Sequence, residues 1–194
     1  EAGYAEIVER INVRLVKLDM APLKKRVMAT RERNRVSLKG TAEKVVTAYG
    51  EALVNIGAKR KDVVVLDADL SADCGLRPFE QAFPDQFIEN GIAEQDMVST
   101  AGGLALNGFL PIVNSFGVFL ASRANEQIYN NATEKTKIIY ACHYAGLIPA
   151  GPGKSHQSLR DISLFGALPN CTVIEPCNGI ETAQALQWCV DQAE

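Results

Sequence analysis

From Thr41 onward the sequence alternates between helical and strand-like hydrophobic rhythms. Val45, Val46, Tyr49, Leu53 and Ile56 fall on one face of a helix, with Thr41 as its cap and Gly57 where it should stop. Asp62 to Asp67 encloses a continuous apolar run, the pattern of a strand buried on both faces. Residues 92–106 read as a helix in which Gly102 and Gly103 allow close packing on a sheet. Residues 110–113 read as a short strand, 116–130 as a helix and 137–142 as another buried strand. A Gly/Pro-rich loop over 146–155 precedes a short helix at 159–165, a strand at 172–174 and a closing helix at 180–190. Strands alternating with helices at this spacing predict an α/β fold, a parallel β-sheet with helices on both faces. Ligands of such sheets bind beyond the carboxyl ends of the strands, so the loops after Leu66, Val113 and Cys142 are where chemistry is expected.

Residues 1–38 differ. They are rich in charge, Ile7, Ile11, Leu15 and Leu18 recur at helical spacing, and Pro22 interrupts the pattern. This stretch reads as a linker or N-terminal arm, leaving 39–194 as the domain. The chain has 194 residues, 47% hydrophobic and 22% charged, enough for one good core. A net charge of −3 leaves no basic footprint for nucleic acid or an anionic membrane. No apolar run approaches the ~20 residues of a membrane span, and no signal-peptide pattern opens the chain. Five cysteines without CxxC spacing read as reduced, mostly buried thiols, which favours the cytoplasm. Two histidines, His143 and His156, and no Cys/His cluster argue against structural zinc.

Three stretches carry candidate chemistry. Glu94, in Asn90-Gly91-Ile92-Ala93-Glu94-Gln95, falls in the first turn of a helix, where a carboxylate also complements the helix dipole. Phe116 and Phe119, three apart at a strand-to-helix junction, form either a core pair or a stacking surface for a flat heterocycle. His156 follows Gly151-Pro152-Gly153-Lys154-Ser155 and is either a surface histidine or a proton-transfer group. The loop lacks the GxxxxGK[ST] of a phosphate loop.

The order of the motifs says more than any one of them. Gly91-Ile92-Ala93-Glu94-Gln95, then Ala101-Gly102-Gly103-Leu104-Ala105, Pro111, Ser115-Phe116 with Phe119, and Gly151-Pro152 with His156-Gln157 resemble the pyrimidine-binding domain of transketolases over roughly residues 29–190. Deoxyxylulose-phosphate synthase and keto-acid dehydrogenase beta subunits share parts of this pattern. The resemblance implies thiamine diphosphate as cofactor and transfer of a two-carbon ketol unit from a ketose donor to an aldose or aldehyde acceptor. It makes Glu94 the carboxyl that hydrogen-bonds the aminopyrimidine ring and activates the cofactor. It makes Phe116 the stacking aromatic, Phe119 a second wall, and Asp69, in Ala68-Asp69-Leu70, a further residue near the cofactor. It gives His156 proton handling on the substrate side and Arg31 the substrate phosphate.

Departures from the family pattern qualify the substrate. Where transketolases hold a sugar phosphate with a serine, a histidine after a strand and an arginine, this chain has Asp73, Cys142 and Glu175. Two of these would repel a phosphate. Ala150 replaces an aspartate before Gly-Pro, and the loop gains Gly153 and Lys154, the latter a replacement cation. The Gly-Asp-Gly segment that holds diphosphate and metal in the family does not occur, and the sequence given stops before the final strand and third domain that the resemblance leads one to expect, as a fragment or a split-enzyme subunit would. The resemblance therefore implies a diphosphate-binding domain or subunit as partner, which would bind Mg2+ or Ca2+, in a homodimer or heterotetramer. A non-catalytic assembly domain is the alternative from another class.

Overall fold

The computed structural model describes residues 44–147 and 152–192, together with Glu9. The chain divides into units Glu1–Gly40 and Thr41–Glu194. The expected arm helix, the Thr41 cap, Arg31, Ala150 and Gly151 lie outside the described residues.

Four parallel strands form one sheet in the order β2-β1-β3-β4: β1 (Val63–Asp67), β2 (Phe87–Glu89), β3 (Leu110–Phe116) and β4 (Ile139–His143). The α/β class expected from the sequence is the one observed. The period-two alternation of a strand sorts β1 cleanly. Val63 and Val65 enter one apolar cluster with Leu53, Ile56, Phe79 and Leu186, whereas Val64 and Leu66 enter the other with Met97, Val98, Leu120 and Ile128. Helices α1 (Val45–Lys59), α2 (Arg77–Ala82) and α7 (Gly179–Asp191) cover the first face. The second is covered by α3 (Glu94–Leu106), α4 (Gly117–Arg123), α5 (Asn125–Thr133) and α6 (Asp161–Phe165). From β1 the chain moves to β2 on one side and then to β3 on the other, so the order reverses beside β1, the place where α/β sheets bind ligands.

Several local expectations change. Gly57 does not end α1; it lies buried inside it, where a Cβ would sit 2.5 Å from a ring carbon of Phe79. Strand β3 runs to Phe116, and the predicted helix over 116–130 is two helices separated at Ala124. Gly102 packs against the Asn131 side chain of α5 rather than the sheet, and Gly103 faces open space. Thr172–Ile174 forms no strand: Val173 and Ile174 are 45% and 42% exposed. The triplet has strand propensity but no ladder partner, and Asn170 (φ 53°) and Pro176 bracket it. The short α2 and β2 fall below the length at which periodicity is readable. All five cysteines are free, but only Cys74 is buried; Cys171 and Cys177 are exposed.

Candidate functional site

The carboxyl ends of β1, β2 and β3 and the start of α3 bring the acidic and aromatic candidates to one edge of the sheet. Strand β2 ends at Glu89, and the next residues turn sharply at Gly91, whose φ of 67° favours glycine. The turn delivers Glu94 as the first residue of α3. Its side chain is only 4% exposed, and its Oε1 accepts a 2.6 Å hydrogen bond from Nη1 of Arg123. Arg123 ends α4, and its guanidinium carbon lies 3.9 Å from the centroid of the Phe119 ring, one helical turn earlier. Gln95 Nε2 donates to the Arg123 carbonyl at 3.0 Å, fastening the start of α3 to the end of α4. Glu94, Phe119 and Arg123 thus form one contiguous group.

The two phenylalanines stack with centroids 5.6 Å apart and planes at 14°. Phe116 is 7% exposed and belongs to the core, whereas Phe119 is half-buried. Phe119 is therefore the more exposed of the two rings, with Phe116 packed against it, and it carries the Arg123 guanidinium. His156 stands edge-on to both rings, at 6.0 Å and 5.2 Å, and its Nδ1 lies 2.9 Å from Ser155 Oγ. Lys154 is exposed on the 3-10 turn Gly153–Ser155 just before it. Asp73 and Glu175 are exposed too.

Asp69 adopts φ 58° and is exposed; its backbone N–H, not its carboxylate, makes the structural contact, donating to Glu89 Oε1 at 2.9 Å. The same oxygen accepts the Gly91 N–H at 2.7 Å, so Glu89 ties the loop after β1 to the turn that leads to Glu94. Asp67, fully buried, accepts the Leu70 N–H through Oδ2 at 3.0 Å. Desolvation, with the nearby Glu89 charge adding to it, lifts its pKa to about 7.

At the end of β3, fully buried Asn114 collects a second network. Its Oδ1 accepts from the Tyr49 hydroxyl at 2.5 Å and lies 3.3 Å from His143 Nε2; its Nδ2 donates to the Ile112 carbonyl at 2.9 Å. Because Oδ1 can only accept, His143 carries its proton on Nε2. Desolvation lowers the His143 pKa to about 4, so the ring is neutral at pH 7. Strand β4 ends at His143, one residue beyond the Cys142 read from sequence as occupying the place of the family histidine.

Sequence reasoning missed Arg123, Glu89, Asp67, Asn114 and His143. Two left signals: Arg123 is four residues after Phe119 on a helix, and Asn114 is an amide inside an apolar run.

The family of proteins described as "Transketolase, pyrimidine binding domain" matches residues 43–194. The chain belongs to this family. A solved split-gene transketolase, described as an inactive beta4 tetramer, is 37% identical with a TM-score of 0.68; the match covers 77% of this chain and 48% of that one. The 1-deoxy-D-xylulose-5-phosphate synthase of Clostridium kluyveri is 31% identical over 74% of this chain and 23% of its own length. The transketolase of Campylobacter jejuni shares the fold, with a TM-score of 0.71 at 23% identity over 77% of this chain and 24% of its own. The chain thus spans about half the length of the split-gene relative and about a quarter of the others. The family is one of thiamine-diphosphate enzymes. The described residues fit the pyrimidine end of that cofactor, since a buried carboxyl beside a half-buried aromatic ring can meet a flat, nitrogen-bearing heterocycle. Among them no group of three or more His, Cys, Asp or Glu could hold a metal ion.

Proposed function

We propose that this chain supplies the pyrimidine half of a thiamine-diphosphate site in a transketolase-type enzyme, one that moves a two-carbon ketol unit from a ketose to an aldose or aldehyde. The observation that carries the proposal is Glu94, a carboxyl buried to 4% exposure at the start of α3 and joined through Arg123 to the Phe119 ring. Folding alone does not call for a buried carboxyl here, because an exposed side chain would complement the helix dipole as well. When bound, the cofactor supplies the nucleophilic carbon that accepts the two-carbon unit. Glu94 would hold a proton at a ring nitrogen, Phe119 would present the stacking face with Phe116 behind it, and Asp69 would line the rim. His156, edge-on to that ring pair, would move substrate protons.

Diphosphate and its Mg2+ or Ca2+ would be held by a partner domain or subunit, in a homodimer or heterotetramer. Exposed Asp73 and Glu175 oppose a phosphate dianion, which favours an unphosphorylated substrate or one whose anion is held by Lys154 or Arg31. The free cysteines suit a reducing compartment such as the cytoplasm. Deoxyxylulose-phosphate synthesis is a second reading, supported by the 31% identical Clostridium relative. A panel of ketoses, pyruvate and aldehydes separates the two.

The test is thiamine-diphosphate binding with magnesium by this chain mixed with a diphosphate-binding partner, comparing wild type with Glu94→Ala and following exchange of the cofactor's C2 proton. Rapid exchange in wild type and slow exchange in a variant that still binds would support the role of Glu94. No exchange with any partner would favour a non-catalytic assembly domain.

A further inference from the structure

We infer that Arg123 is a resident stand-in for the cofactor's aminopyrimidine ring, holding the two contacts that the ring would use and yielding both when the ring binds. The inference rests on the thiamine-diphosphate reading above.

A guanidinium is planar, delocalised and studded with N–H donors at its edge. An aminopyrimidine is also planar, with nitrogen functions at its edge. The first contact available to either is the Glu94 carboxyl, and Arg123 Nη1 takes it at 2.6 Å. The second is the aromatic face of Phe119, and the guanidinium carbon lies 3.9 Å from that centroid. Edge to carboxyl and face to arene is the pairing proposed for the cofactor ring.

The rest of Arg123 suits a side chain that leaves. Its backbone is fixed, because its carbonyl accepts from Gln95 Nε2 at 3.0 Å. Its side chain is 46% exposed, so the cation can swing into water at little desolvation cost. Glu94 cannot do the same: at 4% exposure it would be left as a buried carboxylate without a partner. Arg123 therefore removes the penalty of an empty site, and ligand binding becomes an exchange of partners at Glu94. The affinity for the ring is then set by the difference between the two partners, and Arg123 weakens binding although it lies in the site. A residue that merely shaped the pocket would have the opposite effect.

That sign supplies the experiment. The full chain, as wild type, Arg123→Gln, Arg123→Lys and Glu94→Ala, is titrated with the bare pyrimidine of the cofactor, 4-amino-5-hydroxymethyl-2-methylpyrimidine, which needs no diphosphate domain. Dissociation constants and the Arg123 Nε–H resonance are followed by NMR. Arg123→Gln should bind about tenfold more tightly than wild type, the size of one charge-assisted hydrogen bond no longer displaced. Arg123→Lys, which keeps the charge but loses the flat stack, should fall between, and the Nε–H resonance of wild type should move on saturation. Equal or weaker binding by Arg123→Gln, with Glu94→Ala still impaired, would overturn the stand-in and leave the pyrimidine site intact. Failure of all four proteins to bind would overturn the stand-in, since Arg123→Gln is expected to bind; undiminished binding by Glu94→Ala would overturn both.

Discussion

Asp67 and Glu89 are register partners on adjacent parallel strands, and the buried Oδ1 of Asp67 has no hydrogen-bond partner. Desolvation, with the Glu89 charge beside it, favours the protonated form of that carboxyl. Glu89 is then free to accept the two backbone N–H groups of Asp69 and Gly91 that set the turn toward Glu94. Burial is the main cause that raises the pKa of Tyr49 and of Cys74, and negative charge on Asp67 adds to each.

This pair predicts a pH dependence of stability. Folded Asp67 titrates at about 7 against an ordinary value of 3.8, with desolvation the largest cause. Between those values the folded chain holds a proton that the unfolded chain has lost. Its contribution is therefore complete below about pH 4, falls as pH rises toward 7, and is constant above, with a slope of at most about 1.4 kcal/mol per pH unit. Asp67→Asn keeps a hydrogen-bond donor at every pH and should remove that slope. Urea unfolding from pH 4.5 to 8.5 measures it; parallel profiles for the two proteins would refute the raised pKa of Asp67.

His143 gives the opposite sign. Its folded pKa is about 4 and its ordinary value 6.5, so stability is present above 6.5 and is lost as pH falls toward 4. Over the same window the two groups oppose each other, and wild type should show a flatter profile than either variant. Asp67→Asn should rise with pH, and His143→Gln should fall. A His143→Gln profile that superimposes on wild type would show that the ring is not buried neutral.

Asn114 binds the first strand-flanking helix to the last described strand. Asn114→Ala would leave the Tyr49 hydroxyl and His143 Nε2–H without their shared acceptor. Each orphaned buried donor costs about 1–3 kcal/mol, so the variant should lose roughly 2–5 kcal/mol by urea unfolding. Tyr49→Phe, which removes one donor and leaves nothing stranded but a lone pair, should lose about 1 kcal/mol.

The fold was legible in the sequence wherever burial produced period. Val63–Leu66 alternates between two apolar clusters, so its run had to be a doubly covered strand. Glu94 was legible because the motif order around it survives, and Phe119 because it repeats at a helical interval from Phe116. What escaped was tertiary. That Phe119 rather than Phe116 is the outward ring depends on where β3 ends, at Phe116 rather than Val113. That Glu94 meets Arg123 depends on two helix ends clipped together by Gln95, 28 residues from its acceptor. Val173 and Ile174 misled in the other direction: their propensity says strand, but a ladder needs a neighbour.

Gly57 illustrates a glycine kept for space rather than for φ. Inside α1 an alanine has better helix propensity by about 1 kcal/mol. A Cβ there, however, would lie 2.5 Å from Phe79 Cε2 and 3.0 Å from Phe83 Cδ2. Both rings are packed, Phe79 at 0% exposure. Gly57→Ala should therefore destabilise by about 1–3 kcal/mol instead of stabilising. A higher unfolding midpoint in the variant would show that the rings move aside freely.

Glu94→Gln should separate stability from function. Removing the charge ends the ion pair with Arg123, but that guanidinium is 46% exposed and recovers its hydration, so no buried cation is stranded. The glutamine still presents an oxygen to Nη1 and is cheaper to bury than a carboxylate. The change in unfolding free energy should stay within about 1 kcal/mol of zero. Proton transfer at the ring nitrogen has no such substitute, because an amide cannot give up its proton, so exchange of the cofactor's C2 proton in the assembled enzyme should fall by at least about 100-fold. A large stability loss with unchanged exchange would assign the carboxyl to the fold; intact stability with collapsed exchange would assign it to the chemistry.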